Sequence, residues 1–196
     1  VEFLEEHFRC QEKIIQFSNI HIYLPRTGRE LVVKTPPLTS DSQPTLTWVN
    51  VRGRIPSNSK RNPSEVKIIL ETLKTLVPLA KNANYQIGVT TPFRDQADEL
   101  IQNIPSVYNH IVTADTVHKF QGNEKDIIMF SPVIAEGATK SMINFINTGA
   151  PQLLNVAVTR ARSRLIVVGD FDACLEAGGL LKQLALYMRK NGELIR

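Results

Sequence analysis

The sequence predicts an open α/β sheet flanked by helices, and three observations carry that prediction. From Thr45 onward, apolar runs of strand length alternate with amphipathic stretches of helical period, the order in which a parallel sheet is covered by its crossover helices. Asn62-Pro63-Ser64-Glu65 supplies an N-cap, a proline at the first helical position and a capping-box acid in one string. Two of the apolar runs close on a chain-breaking residue, Pro92 after Ile87–Thr91 and Gly169-Asp170 after Leu165.

Taken in order, residues 1–44 read as a lead-in or connector and residues 45–196 as the domain proper. Within the lead-in, apolar residues at Leu4, Phe8, Ile14, Ile15 and Phe17 predict a short helix, followed by a polar stretch carrying Pro25, Pro36, Pro37 and Pro44. Leu46 to Val51 is a strand. The capped helix follows, with Val66, Ile69, Leu70, Leu73, Leu76, Val77 and Ala80 on one face. Ile87 to Thr91 is the next strand and Arg94 to Ile104 the next helix. His110 to Thr116 and Asp126 to Val133 are strands separated by a polar segment. Pro151 to Ser163 reads as a helix, Leu165 to Gly169 as a strand, and Phe171 to Lys190 as a helix broken near Gly178-Gly179. About five strands result, with functional loops expected at their carboxyl ends.

The 196 residues are 42% hydrophobic and 21% charged, the profile of a folded domain, and too few for two complete nucleotide-binding lobes of ~100 to 200 residues each. The expected location is cytoplasmic or nuclear, because no apolar run is long enough to span a membrane and Val1-Glu2-Phe3-Leu4 does not begin like a signal peptide. Cys10 and Cys174 suit neither a disulfide framework nor a zinc site. The formal net charge of +4 permits nucleic-acid binding without requiring it.

Three clusters carry chemical interest. The loop Thr116-Val117-His118-Lys119-Phe120-Gln121-Gly122-Asn123-Glu124-Lys125-Asp126 combines a glycine with the hydrogen-bonding groups of Gln121 and Glu124; its spacing alone equally describes a solvated connection. In Asn155–Arg164, three arginines stand at alternate positions, so a helix cannot hold them on one face. Between Gly137 and Gly169 there is no acid, only Lys140, Arg160, Arg162 and Arg164, a field suited to phosphate, with a plain surface role as the alternative. Arg52, Arg54, Lys60, Arg61 and Lys67 precede or open the capped helix, a setting that favours anions as much as it favours a solvated loop. A phosphate loop G-x-x-x-x-G-K-[ST] is lacking, no apolar strand ends in an Asp-Glu pair, and the four histidines form no metal pattern. No metal site is expected.

These residues resemble a known family. The string Thr116–Asp126 is similar to motif V of superfamily 1 helicases, Leu154-Asn155-Val156-Ala157-Val158-Thr159-Arg160-Ala161-Arg162 to motif VI, and Ile87-Gly88-Val89-Thr90-Thr91-Pro92-Phe93-Arg94-Asp95-Gln96 to motif IV. Ser59–Glu65 resembles the segment before motif IV, and Leu4–Cys10 the end of the family's first motor domain. The style is that of the 5′-to-3′ branch containing the nonsense-mediated-decay helicase. The resemblance implies the second of two RecA-like domains of P-loop NTPase fold, with an open, mostly parallel sheet between helices.

It further implies an ATP-dependent DNA or RNA helicase, with ATP and Mg²⁺ held mainly by a first RecA-like domain of the same polypeptide and with single-stranded nucleic acid as partner. Arg160 then matches the arginine finger, and Gln121, Gly122, Glu124 and Arg162 match positions beside the nucleotide. Thr91, Pro92, Arg94, Thr116 and His118 match the nucleic-acid track. Where some members carry an arginine after the asparagine matched by Asn62, this chain has Pro63; either Arg61 substitutes or the second phosphate contact is absent. The domain alone is expected to be inactive. The competing reading is a degenerate RecA-like fold that only docks nucleic acid or protein.

Overall fold

A computed structural model describes residues 6–37, 43–120, 123–149 and 153–196. The lead-in contains β1 (Glu6–His7), α1 (Glu12–Ser18), a wide helical turn at Asn19–Tyr23, α2 (Leu24–Thr27) and β2 (Val32–Val33). The domain proper runs β3 (Leu46–Asn50), α3 (Pro63–Asn82), β4 (Ile87–Thr91), α4 (Arg94–Asn103), β5 (Val112–Thr116) and β6 (Lys125–Phe130). It continues with α5 (Lys140–Asn144), a second wide turn at Phe145–Gly149, α6 (Leu153–Thr159), β7 (Ala161–Gly169), α7 (Phe171–Ala177), α8 (Gly179–Asn191) and β8 (Glu193–Ile195). The main sheet has the order β5-β4-β6-β7-β3-β8 with every pairing parallel.

Central strands buried on both faces explain the unbroken apolar runs. Along β6, Ile128 and Phe130 enter one core with α6 and α8, whereas Ile127 and Met129 enter the other, under α3. β7 alternates likewise, Leu165 and Val167 against Ile166 and Val168. The Asn62 side chain caps α3 by accepting from the Ser64 and Glu65 amides, and the predicted face of that helix is buried except for Leu70, which packs at the margin of the core.

Four sequence-based expectations change. The helix predicted from Leu4 begins at Glu12, because Glu6–His7 pairs with Val32–Val33 instead; Leu4 lies outside the described residues. A sixth strand, β8, is three residues long and too short to announce itself. The helix predicted over Pro151–Ser163 ends at Thr159, its first two residues lying outside the description, and Ala161–Ser163 belong to β7. Arg162 and Arg164 therefore stand in a strand, with a bulge between the pairs Lys125↔Ala161 and Ile127↔Arg164 that gives β7 one extra residue, and Arg160 stands just before it. The link from β5 to β6 must carry the chain back across β4 from one end of the sheet to the other, and it does so within residues 117–124. It crosses over Gly88, where a Cβ would lie 2.8 Å from the Phe120 ring and 2.7 Å from Ile128.

Candidate nucleotide and nucleic-acid sites at opposite ends of the sheet

That crossing separates the candidate residues into two groups. Glu124 stands immediately before β6 and Arg160 immediately before β7, and the Lys125 amide donates to the Arg160 carbonyl at 3.0 Å. Both lie at the amino ends of their strands, not at the carboxyl ends where the sequence reading placed every functional loop. The reason is the short crossing: it starts at Thr116 on the carboxyl side and finishes at Glu124 on the other.

At the amino end, Glu124 is gripped from two sides. Its carboxylate accepts from Arg9 Nε at 2.6 Å and from Arg162 Nε at 3.3 Å, and its side chain is 18% exposed. Arg160 is half-buried beside them. Burial, and next the charge of Arg9, lower its guanidinium from the usual arginine value, while Glu124 opposes that shift. Its Nε is buried without a hydrogen-bond partner, an orphaned donor of the kind an incoming anion would satisfy. Arg9 is fixed by the lead-in: the Cys10 amide donates to His7 Nε2 at 2.8 Å, the Cys10 thiol to the Thr159 carbonyl at 3.3 Å, and the Gln11 amide to the Arg162 carbonyl at 2.8 Å. Burial pushes the Cys10 thiol up to about 12, so it packs and does not react. Phe8, next to Arg9, is 68% exposed.

Sequence reasoning missed Arg9. It lies in a stretch read as connector, and nothing in its immediate spacing announces a partner more than a hundred residues away. Arg61, the suggested substitute, does not reach this cluster: it pairs with Glu99 of α4 at 2.8 Å and sits with the α3 N-terminus at the carboxyl end of the sheet. Gln121 and Gly122 lie outside the described residues.

At the carboxyl end, Thr91 and Thr116 close β4 and β5, both buried, and the Val117 amide donates to the Thr91 carbonyl at 2.9 Å. Pro92 and Phe93 are buried behind them. Arg94 pairs with Asp98 and with Asp115, and Lys119 with Asp115 at 3.7 Å. His118 is exposed and stands edge-on to Phe145, with ring centroids 6.1 Å apart. Lys60 lies 5.9 Å over the Phe93 ring. Thus Thr91, Pro92, Arg94, Thr116 and His118 share one rim with Lys60 and Arg61.

Beneath that rim lies a polar knot that the sequence reading did not single out. Glu65 is wholly buried and accepts from Asn62 Nδ2 at 3.0 Å, Ser131 Oγ at 2.5 Å and the Val133 amide at 3.1 Å. Ser131 Oγ in turn accepts from Gln96 Nε2 at 2.8 Å. Burial raises the Glu65 carboxyl to about 8, although all three donors favour its charged form. Val133, a β-branched residue at φ 57°, is held in a strained conformation partly by this bond. The knot ties the N-termini of α3 and α4 to the chain leaving β6.

Among the described residues no group of His, Cys, Asp or Glu is arranged to hold a metal ion, and no helix is long and apolar enough to cross a membrane.

Known proteins share these features. A family model described as an AAA domain matches residues 1–172. Over 190 residues the chain is 31% identical to the DNA replication ATP-dependent helicase/nuclease JHS1 of Arabidopsis thaliana, covering 87% of this chain and 14% of that protein. It is 26% identical to the DNA polymerase alpha-associated DNA helicase A of Saccharomyces cerevisiae, over 99% of this chain and 31% of that one, and 36% identical to helicase sen1 of Schizosaccharomyces pombe, over 58% and 7%. The chain therefore spans less than a third of the length of these relatives. The crystal structure of the C-terminal domain of a possible DNA helicase from a Lactobacillus superposes with a TM-score of 0.52 at 13% identity, covering 96% of this chain and 99% of that one, a likeness of fold. With its parallel six-stranded sheet and its match over residues 1–172, the chain belongs to this AAA domain family, as the C-terminal RecA-like domain of a superfamily 1 helicase.

Proposed function

We propose that this chain is the second motor domain of an ATP-dependent helicase, completing the site of a nucleotide bound by a first RecA-like domain and carrying half of a single-strand track. The observation that carries the reading is the convergence of Arg9 and Arg162 on Glu124 beside the half-buried Arg160, whose Nε lacks a partner. Three guanidinia against one carboxylate leave an excess of positive charge with planar donors, the chemistry that binds phosphate oxygens.

The bound nucleotide supplies phosphoryl transfer to water. Arg160 is the finger that stabilises charge on the transferring group, a role worth ~10³ to 10⁵ in rate in related systems. Arg9, and not Arg61, is the second phosphate-facing guanidinium, because it shares the Arg160 cluster. Phe8 offers an exposed ring beside Arg9 against which a base can stack. Mg²⁺, like the nucleotide, is held mainly by the first domain on this reading, as the family resemblance implies. On this reading residues 1–44 are the segment joining the two motor domains and residues 45–196 are the second domain, in a protein of the cytoplasm or nucleus.

At the other end, His118 and Lys60 form the exposed part of a rim along which a strand would run, above the buried Thr91 and Thr116, with Arg61 and Arg94 held in ion pairs. Contacts there to phosphate and sugar position a strand without reading sequence. ATP turnover would then move this rim against that of the first domain, the logic of a ligand-biased hinge.

Complementation tests the proposal. The chain alone should not hydrolyse ATP; mixed with its first domain it should regain strand-stimulated ATPase, and Arg160→Ala should remove that gain. ATPase by the chain alone, or restoration unaffected by Arg160→Ala, defeats the reading.

A further inference from the structure

The turn from His7 to Cys10 projects Arg9 toward Glu124, and it is closed by one side chain. The Cys10 amide donates to His7 Nε2 at 2.8 Å, which requires that nitrogen to be unprotonated and the ring neutral. On the far side of the turn, the Cys10 thiol and the Gln11 amide fasten the chain to Thr159 and Arg162. Behind it, His7 is held to β2 through its own carbonyl, which accepts from the Lys34 amide at 2.8 Å. Arg9 thus extends from a turn anchored at both ends by these bonds and closed within itself by the imidazole.

We propose that His7 is a positioning residue: in its neutral form it holds the turn that presents Arg9 to Glu124 and to the phosphate site beside Arg160, and protonation releases that turn. The role at a phosphate site rests on the function proposed above; the hold on Arg9 does not. The charges facing His7 are those of Arg9 in its own turn and of Glu124 from the start of β6, with Cys10 hydrogen-bonded to the ring. The Lys34 amine turns instead toward Glu6, at 3.7 Å. Burial, and then Arg9, hold the imidazole below its usual value, with Glu124 opposing them, so the neutral form predominates at pH 7 and is lost as the pH falls below 6.5.

The consequence separates His7 from a residue that merely fills space. A glutamine can accept the Cys10 amide through its carbonyl oxygen but does not titrate; an alanine can do neither. The test follows the Arg9 Nε–H and Cys10 amide resonances of the full 196-residue chain from pH 7.5 to pH 5, in wild type, His7→Gln and His7→Ala, with inorganic tripolyphosphate added in parallel at pH 7.5. The wild-type Arg9 Nε–H should be protected at pH 7.5 and lose protection as the pH falls below 6.5. His7→Gln should keep it throughout, and His7→Ala should lack it even at pH 7.5 while the amides of β6 and β7 stay dispersed. A protected Arg9 in His7→Ala, or loss in His7→Gln over the same pH range as wild type, overturns the proposal. Tripolyphosphate reports separately on the site: if it leaves the Arg9 and Arg160 signals of wild type unmoved, the nucleotide reading fails, whereas the hold of His7 on Arg9 is judged by the pH series alone.

Discussion

Lys125 and Arg160 are joined by a backbone hydrogen bond of 3.0 Å, from the amide of one to the carbonyl of the other. This single ladder bond at the amino end of β6 and β7 places Glu124 beside Arg160 and lets a carboxylate sit among three guanidinia. Such a carboxylate offsets part of the positive charge that an anion would meet. Glu124→Gln should therefore raise the affinity of the chain for inorganic tripolyphosphate several-fold at low salt, with the gain shrinking as the Debye length falls. Calorimetric titration at two ionic strengths checks this; unchanged or weaker binding contradicts it.

Arg9 and Arg61 are distinguished by position. Arg9 belongs to the Glu124 cluster and Arg61 to the opposite rim, paired with Glu99. In the complemented enzyme, Arg9→Ala should reduce ATP turnover by about 10²-fold or more, the scale of losing a phosphate-facing guanidinium. Arg61→Ala should leave turnover within about twofold and instead weaken single-strand binding, lowering the salt slope by about one phosphate contact. Turnover assays and salt-dependent strand titrations on both variants give the contrast.

Much of this architecture was legible in the sequence, and the failures have physical causes. The α3 cap was written in Asn62-Pro63-Ser64-Glu65, and the strands of the sheet interior in their apolar runs, because burial on both faces imposes local patterns. Arg9 was not legible, since its partnership with Glu124 depends on a two-residue strand, β1, pairing with β2. Arg160 and Arg162 read as helical in the sequence because α6 and β7 follow each other with only Arg160 between them, leaving no loop signal to mark the change of period. Glu65 was read as a capping-box residue; only packing of Ser131 and Val133 around it shows that it is a buried carboxyl.

That burial predicts a pH dependence. Burial raises the Glu65 carboxyl from its ordinary 4.5 to about 8 in the folded chain, so the folded state keeps a proton that the unfolded state has released between those values. The contribution of this group to stability is complete below about 4.5 and declines as the pH rises toward 8, by on the order of a few kcal/mol. Glu65→Gln should flatten that decline between pH 5 and pH 8, and Glu65→Ala, which leaves Asn62, Ser131 and Val133 donors unpaired in a cavity, should cost about 2 to 4 kcal/mol at either pH. Urea unfolding at the two pH values measures both. A wild-type midpoint that changes no more between pH 5 and pH 8 than that of Glu65→Gln would show that Glu65 is ionised in the folded chain.

Gly88 makes the two-ended arrangement possible, because the link from β5 to β6 crosses β4 directly above it. A Cβ there would come within 2.7 Å of Ile128, 2.8 Å of Phe120 and 3.0 Å of the Lys125 side chain. Ile128 and Phe120 are buried and cannot swing into solvent, so Gly88→Ala should lift the crossing and cost about 1 to 3 kcal/mol of overpacking. The disturbance should be local first. Hydrogen exchange should quicken at the amides of Val117, Lys119 and Phe120, which donate to Thr91 and Thr116, before it quickens in α3, whose core lies on the other face of the sheet. Because Glu124 hangs from the far end of the same link, its pairing with Arg9 should loosen in parallel, although no residue of that cluster has changed. A Gly88→Ala chain with wild-type stability and wild-type exchange at Phe120 would mean that the crossing does not press on β4.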